Sequence, residues 1–514
     1  MSCESIDALK HDPFSAALLG QLPRADLRHW VQTLQQLVAS GLSSGRCGHV
    51  VDGAGKTVKV AKILEVRAQL VEHGARTGDV VMIKVRNDAG GVTAMLAAWL
   101  NGCAVCPVDS TAPREVQELI AEQARAVLIV DLDHSMKRMK MSEVRIRAQY
   151  ATGADLALMI FTSGSSGRPK GVLLTHSNVI SSLRAICTYL DIRMDDRILC
   201  VPPLFLDYGL YQVLYALFTG CHLVMATGLT NPIKILGLIK ERRPTILPVI
   251  PALASGLSTV LNTFSETIGC LRLVSNTGGH LARATVEALR RSFPNARIYP
   301  MYGLTETKRA LYLPPELVDH KPGSVGGPMP GLDARVVITD DDGQLAEAES
   351  GRVGELYLRG ASVMQGYHTS EHTAGARLVV GRYRDDVWLA TGDLFERDAD
   401  GYLYFRGRLK SLIKQKGYCI YPRDLESVAE ALPEVASAVV VGRGESDGDE
   451  SAVLFAVLQG EPDEEQQALV RSRILEGLHK SLQPRVIHFL TEWPASPVGK
   501  IDLNALVRLA AELP

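Results

Sequence analysis

Phe161-Thr162-Ser163-Gly164-Ser165-Ser166-Gly167-Arg168-Pro169-Lys170-Gly171 is the stretch on which the reading of this chain turns. It follows the apolar run Leu156 to Ile160, which reads as a buried strand. It precedes Val172 to His176, where the chain turns apolar again ahead of a helical pattern. A hydroxyl-rich hairpin between ordered elements is therefore expected. Its Gly and Ser residues let backbone N–H groups approach an anion, hydroxyls can donate to phosphate oxygens, and Arg168 and Lys170 add positive charge. Taken alone, the stretch allows both a polyphosphate-holding loop and an ordinary Gly/Ser/Pro loop. It is not the P-loop of kinases and GTPases, because Lys170 is followed by Gly171 instead of Ser or Thr opening a helix. Gly53-Ala54-Gly55-Lys56-Thr57 also fails that motif, since Val50 stands where its first glycine belongs.

Four further stretches follow in order: Tyr302-Gly303-Leu304-Thr305-Glu306, Thr391-Gly392-Asp393, Arg408-Leu409-Lys410-Ser411-Leu412-Ile413-Lys414, and Pro497-Val498-Gly499-Lys500-Ile501-Asp502. With the first stretch they make the chain resemble the adenylate-forming superfamily, which includes acyl-CoA synthetases, firefly luciferase and the adenylation domains of nonribosomal peptide synthetases. The resemblance runs from about residue 60 to residue 502. It implies an enzyme that joins a carboxylic acid to AMP, releases pyrophosphate, and then lets a thiol displace the AMP.

Bulk properties agree with an ordinary globular protein of more than one domain. At 514 residues the chain exceeds the ~250–300 at which a single core stops growing. Apolar residues make up 46% and charged residues 22%, an ordinary globular balance, and a net charge of −2 gives no electrostatic case for nucleic acid. Glu4, Asp7, Lys10 and Asp12 interrupt the N-terminal segment, so no signal peptide is expected. Tyr208 to Ile233 carries no Lys, Arg, Asp or Glu, but Gln212, Gly220, His222, Gly228, Asn231 and Pro232 break it. A buried helix followed by a buried strand fits it better than a membrane span. The nine cysteines lack metal spacing apart from Cys103-Ala104-Val105-Cys106, which reads as structural thiols on a strand; a reducing cytoplasm is the natural setting.

Hydrophobic periodicity predicts helices over 24–40, 57–74, 91–101 and 112–124, interleaved with strands over 78–85, 103–108 and 126–130. Helices over 177–190, 233–243, 251–261 and 282–293 and strands from 197 and over 245–249, 271–275 and 296–299 continue the alternation, which argues parallel sheets covered on both faces. From Gly323 to Tyr367 short alternating strands with turns such as Asp340-Asp341-Asp342-Gly343 suggest a small β-barrel subdomain. The last hundred or so residues read α+β, with strands at 436–441, 452–458 and 486–489 and helices at 423–431 and 465–482. The expected fold is α/β: a large N-terminal domain, residues 1–409, and a small α+β C-terminal domain, residues 410–514. The resemblance makes the small domain mobile, with its hinge at Lys410.

A single acidic side chain beside a triphosphate suits Mg²⁺, which binds through one or two carboxylates plus phosphate oxygens. Glu306 is that candidate, and Thr305 can donate to a phosphate. The resemblance assigns the phosphates to Thr162, Ser163, Gly164, Ser165, Ser166, Gly167 and Lys170, and sets Tyr302, with Gly303, against adenine. It gives the ribose hydroxyls to Asp393 and a ribose contact to Arg408. It places Asn276-Thr277-Gly278-Gly279-His280 at the border of adenine and acid substrate. Lys500 is the candidate catalytic residue, because a positioned ammonium stabilises the charge that builds when a carboxylate attacks the α-phosphate. The resemblance also implies that the small domain docks first with Lys500 inward and then turns about Lys410, so that a face near Lys414 and Gly417 meets the thiol.

Asp207, in Phe205-Leu206-Asp207-Tyr208-Gly209, is costly in apolar surroundings without a partner. By resemblance it pairs with the ammonium of an α-amino acid, with Tyr208 beside it; the residues alone equally allow a cap for a helix beginning near Tyr208. Asp207-Tyr208-Gly209-Leu210 with Thr307-Lys308-Arg309 is similar to stand-alone amino-acid:carrier-protein ligases of natural-product pathways. No Asp-Ser-Leu-like phosphopantetheine site occurs in the chain, so the expected thiol donor is a separate carrier protein or free CoA. The alternative is an acyl- or aryl-CoA ligase.

Overall fold

Apolar strands that alternate with helices pair in parallel here, as strands buried on both faces do. The computed structural model describes residues 31–139, 148–163, 169–226, 231–264, 267–281, 283–339, 344–368, 378–381, 386–415, 418–445, 450–460, 463–494 and 501–513. One sheet has seven strands. At its centre Val80–Val85 lies between Ala104–Asp109 and Leu128–Val130, and Ala104–Asp109 pairs in parallel with β1 (Leu156–Ser163). β1 returns antiparallel as β2 (Pro169–Thr175), which sets Thr162 opposite Lys170. The expected hairpin is therefore present, with its tip, residues 164–168, outside the described residues.

The second sheet has eight strands and is parallel from Val50–Val51 through His222–Met225, Arg197–Cys200 and Ile246–Val249 to β3 (Leu273–Asn276) and β4 (Arg297–Tyr302). Between the sheets runs α1 (Asp207–Thr219), buried at every position after Asp207, and it ends on Gly220 in the left-handed region at φ 84°. A Cβ at Gly209 would sit 2.2 Å from the Pro203 carbonyl oxygen, so glycine is what lets the Pro202-Pro203 turn close onto this helix. The charge-free stretch from Tyr208 is thus a buried helix followed by a buried strand, and among the described residues no helix is long and apolar enough to cross a membrane.

β5 (Gly366–His368) pairs antiparallel with β2 at the edge of the seven-stranded sheet. The β-rich region beyond residue 323 forms a six-stranded antiparallel sheet that extends past Tyr367, through β6 (Val387–Arg397) to β7 (Leu403–Arg408). After Arg408 come α2 (Pro422–Glu430), the strands Val435–Gly444, Glu450–Leu458 and Val486–Leu490, and the helix Glu464–Glu476. Ile413, Leu425, Val440, Leu454 and Ile474 build an apolar cluster of their own there. The helix expected over 465–482 stops at Glu476, and a closing helix, Leu503–Glu512, was not anticipated; Asp502 caps it by accepting from the Ala505 N–H.

Cys103 and Cys106 are both fully buried, and burial pushes the Cys103 thiol up to about 12, so neither is poised to react. No cluster of three or more His, Cys, Asp or Glu among the described residues could hold a metal ion unaided.

Candidate active site

β4 ends at Tyr302, and the chain folds back beneath it. A Cβ at Gly303 would lie 2.4 Å from the Lys308 carbonyl oxygen, so only glycine admits the turn. The Tyr302 hydroxyl donates to Asp393 Oδ2 at 2.7 Å, and Arg408 Nε is 3.3 Å from Oδ1 of the same carboxylate. β6 and β7 set this up by pairing Asp393 opposite Arg408. Burial and the Asp393 charge push the Tyr302 phenol well above its ordinary value, which keeps it a donor. Its ring stands edge-on to Phe395 at 4.9 Å between centroids. Three residues expected at adenine and ribose, drawn from three strands, therefore meet.

Farther along the same turn, the Glu306 carboxylate accepts from the Tyr367 hydroxyl, and the Glu306 carbonyl accepts from the Met364 N–H at 2.8 Å. Tyr367 lies on β5 opposite Val172 of β2, and Lys170 Nζ is 5.6 Å from the centroid of its ring. Glu306 is thus brought to the strand pair that carries Lys170 and Thr162. Tyr367 is the residue that sequence reasoning missed, because nothing local to position 367 announces a partner at 306. Ser163 contributes backbone to β1, while its side chain, Gly164, Ser165, Ser166, Gly167, Gly417 and Lys500 lie outside the described residues.

The Asn276 turn sits at the carboxyl end of β3, where open α/β sheets bind ligands, with Asn276 level with Pro300 of β4. Asn276 Nδ2 donates to the Gly279 carbonyl at 3.0 Å, and Thr277 is buried. Gly278 adopts φ 82° and is exposed, as is Gly279. Packing around His280, with the Arg423 charge nearby, pulls its pKa down to about 3, so the ring is neutral.

Asp207 is the first residue of α1 and half-buried. The helix N-cap is Leu206, and no side chain caps it, which corrects the reading of Asp207 as the cap; its carboxylate instead sits in the positive first turn. The neighbouring Tyr208 hydroxyl donates to the Ser275 carbonyl at 2.7 Å, and the Arg309 guanidinium lies 4.4 Å from the Tyr208 ring centroid. Lys308 and Arg309 are 1% and 4% exposed, a rare degree of burial for adjacent cations. Lys308 also takes φ 70°, and burial pulls its amine down to about 8 against the opposing charges of Asp207 and Glu306.

Lys410 is exposed in the 3₁₀ turn Leu409–Ser411 just past Arg408. Lys414 is exposed on Ile413–Gln415, with its N–H donating to Glu450. Across the same junction Arg406 of β7 binds Glu396 at 2.6 Å and Asp424 of α2 at 3.4 Å.

The profile of the family described as AMP-binding enzyme matches residues 61–368, more than half of the chain. The chain belongs to the AMP-binding enzyme family. A 4-coumarate–CoA ligase of Pinus taeda is 26% identical over 488 residues, 87% of this chain and 88% of that protein. A probable CoA ligase of Humulus lupulus is 28% identical over 364 residues, 69% of this chain but 64% of its own length, so the chain spans about two thirds of that relative. The anthranilate CoA ligase AuaEII, solved with anthranoyl-AMP, shares the fold at a TM-score of 0.80 with 22% identity, over 94% of this chain and 98% of that one. The expected superfamily and α/β class are both borne out.

Proposed function

We propose that this AMP-binding enzyme activates a carboxylic acid with ATP and passes the acyl group to a thiol. The supporting observation is the turn after β4, which gives Tyr302 to Asp393 at one end and Glu306 to Tyr367, beside Lys170, at the other. A candidate nucleoside anchor and a candidate phosphate-side carboxylate thus stand on one short segment, Tyr302 to Glu306. The acid's carboxylate oxygen attacks the α-phosphorus, the bond to the β-phosphate breaks, and pyrophosphate leaves. The thiol sulfur then attacks the acyl carbon, and AMP departs. Lys170, Thr305 and Lys500 supply positive charge and donors for the first step; no side-chain nucleophile is needed. Glu306, half-buried with one oxygen engaged by Tyr367, suits Mg²⁺, which would neutralise phosphate charge when bound. The small domain, residues 410–514, turns about Lys410 between the two steps and presents Lys414 and Gly417 to the thiol.

The acid is an α-amino acid whose ammonium pairs with Asp207, and the acceptor is the phosphopantetheine of a separate carrier protein. In favour of this, the Asp207 carboxylate accepts no hydrogen bond among the described residues and stands at the mouth of α1. Free CoA as acceptor is the second reading, favoured by the CoA-ligase names of the relatives above. The test is ATP–pyrophosphate exchange with α-amino acids and their nitrogen-free isosteres, in the wild type and Asp207→Ala. Exchange confined to amino acids, with that preference lost in the variant, is the expected result. Equal use of nitrogen-free acids by the wild type would make Asp207 structural and favour the CoA-ligase reading.

A further inference from the structure

Arg309 is buried against Tyr208, next to the residue proposed to bind the substrate's ammonium, with most of its hydrogen-bonding capacity unused. Among the described residues its one hydrogen bond runs from Nη1 to the Lys308 carbonyl at 2.6 Å, and Nε is buried with no partner. Among the described residues no carboxylate lies within ion-pair distance of Arg309 or of Lys308, whose ammonium is spent on the Thr305 carbonyl at 2.8 Å. Tyr208, pinned by Ser275, holds the guanidinium from one face, and the phenols of Tyr189 and Tyr215 lie around it, both pushed upward by burial and so neutral. Among the described residues Asp207 is the one carboxylate whose charge reaches both cations, while Glu306 reaches Lys308 alone, so Arg309 shares its one opposing carboxylate with its neighbour. Two more orphans sit nearby in the fold: Asn276 Oδ1, on the residue after Ser275, and Thr307 Oγ1, two residues before Arg309, are buried without partners among the described residues. A buried cation with a free edge is expensive unless something anionic completes it.

Resting on the acid-activation reading above, we propose that the substrate carries a second anionic group besides the carboxylate that is activated, and that Arg309 binds it. The Nε–Nη2 edge of a guanidinium receives a carboxylate in two parallel bonds, and it is the edge that Arg309 leaves open. Lys308 strengthens the field there without competing for the group, since its amine is tied to Thr305. The substrate class is a small diacid; where Asp207 also binds an ammonium, it is an acidic amino acid.

The experiment is ATP–pyrophosphate exchange with matched pairs of acids that differ only in that group: succinate and succinamate, phthalate and phthalamate, aspartate and asparagine, glutamate and glutamine. Each pair is run with the wild type, Arg309→Gln and Arg309→Lys, and the rise in melting temperature on adding ATP reports that each variant is folded and binds nucleotide. The wild type is expected to favour the diacid of at least one pair by roughly a hundredfold in kcat/KM, since a site built around a buried charge rejects the neutral analogue. Arg309→Gln should abolish that preference with the ATP-induced rise intact, and Arg309→Lys, which keeps the charge but not the two-pronged edge, should retain part of it. Equal use of diacid and monoamide by the wild type, or a preference that survives in Arg309→Gln, overturns the proposal while leaving acid activation standing. Absence of exchange with every acid overturns acid activation itself, and this proposal with it.

Discussion

His176 opens the helix His176–Tyr189 and is completely buried, yet it ties down a distant segment. Its Nδ1 accepts the Leu34 N–H at 3.0 Å, at the start of the helix Leu34–Ser43, so the ring is neutral with its proton on Nε2. Protonation would set two N–H donors face to face in a dry site. Burial accordingly pulls the ring down from 6.5 to about 4, with the Asp155 charge opposing the shift. The folded value lies below the unfolded one, so between pH 4 and 6.5 the unfolded chain binds the extra proton. Stability from this residue is complete above pH 6.5 and is lost as pH falls toward 4. At about 1.4 kcal/mol per unit, the loss totals about 3 kcal/mol over the window. The assay is urea denaturation of the wild type and His176→Gln, whose amide oxygen can still accept from Leu34, at several values of pH from 7 down to 4.5. The wild type should lose its advantage over the variant steadily below pH 6.5. Parallel loss in the two proteins would refute the reasoning, because it would mean that His176 titrates normally or charges without cost.

Lys308→Met should stabilise the fold by about 2–3 kcal/mol at pH 7, since the buried amine near 8 costs stability wherever the unfolded lysine is charged. That gain should shrink as pH rises from 8 toward 10.5, which chemical denaturation at pH 7 and pH 10 would show; an unchanged or lowered midpoint at pH 7 would refute it. Lys500→Ala should slow acyl-adenylate formation by about a hundredfold or more, measured as exchange, while preformed acyl adenylate is still converted to thioester at a near-normal rate. Equal loss of both half-reactions would count against two working faces on the small domain.

Much of the architecture can be read from local pattern. The strand ahead of the Gly/Ser-rich stretch, the buried helix from Tyr208 and the nearly regular alternation up to Tyr302 all follow from apolar period and length. Tyr302, Asp393 and Arg408 were legible because each stands in a recognisable string, and the fold brings them within bonding distance. Tyr367 was not, because its role arises from β5 joining β2 across nearly two hundred residues, and register at such separation leaves no local trace. The burial of Lys308 and Arg309 was also hidden. Adjacent cations ordinarily mark a wet surface, and it is the tertiary packing of Tyr208, with Tyr189 and Tyr215, about Arg309 that takes them out of water. The closing helix from Leu503 does leave a local signal, an Asp cap before an amphipathic run.

The bond from Tyr367 to Glu306, and that from Tyr302 to Asp393, also tie early-made parts of the chain to parts made late. A growing chain that has cleared the ribosome as far as residue 360 already holds β1, β2 and the turn bearing Glu306, but not the strand that clasps Glu306. The partner of Tyr302 emerges later still, and Arg408 last of these. On the proposed reading, a nascent chain therefore gains no stabilisation from nucleotide through these contacts until its late strands are out.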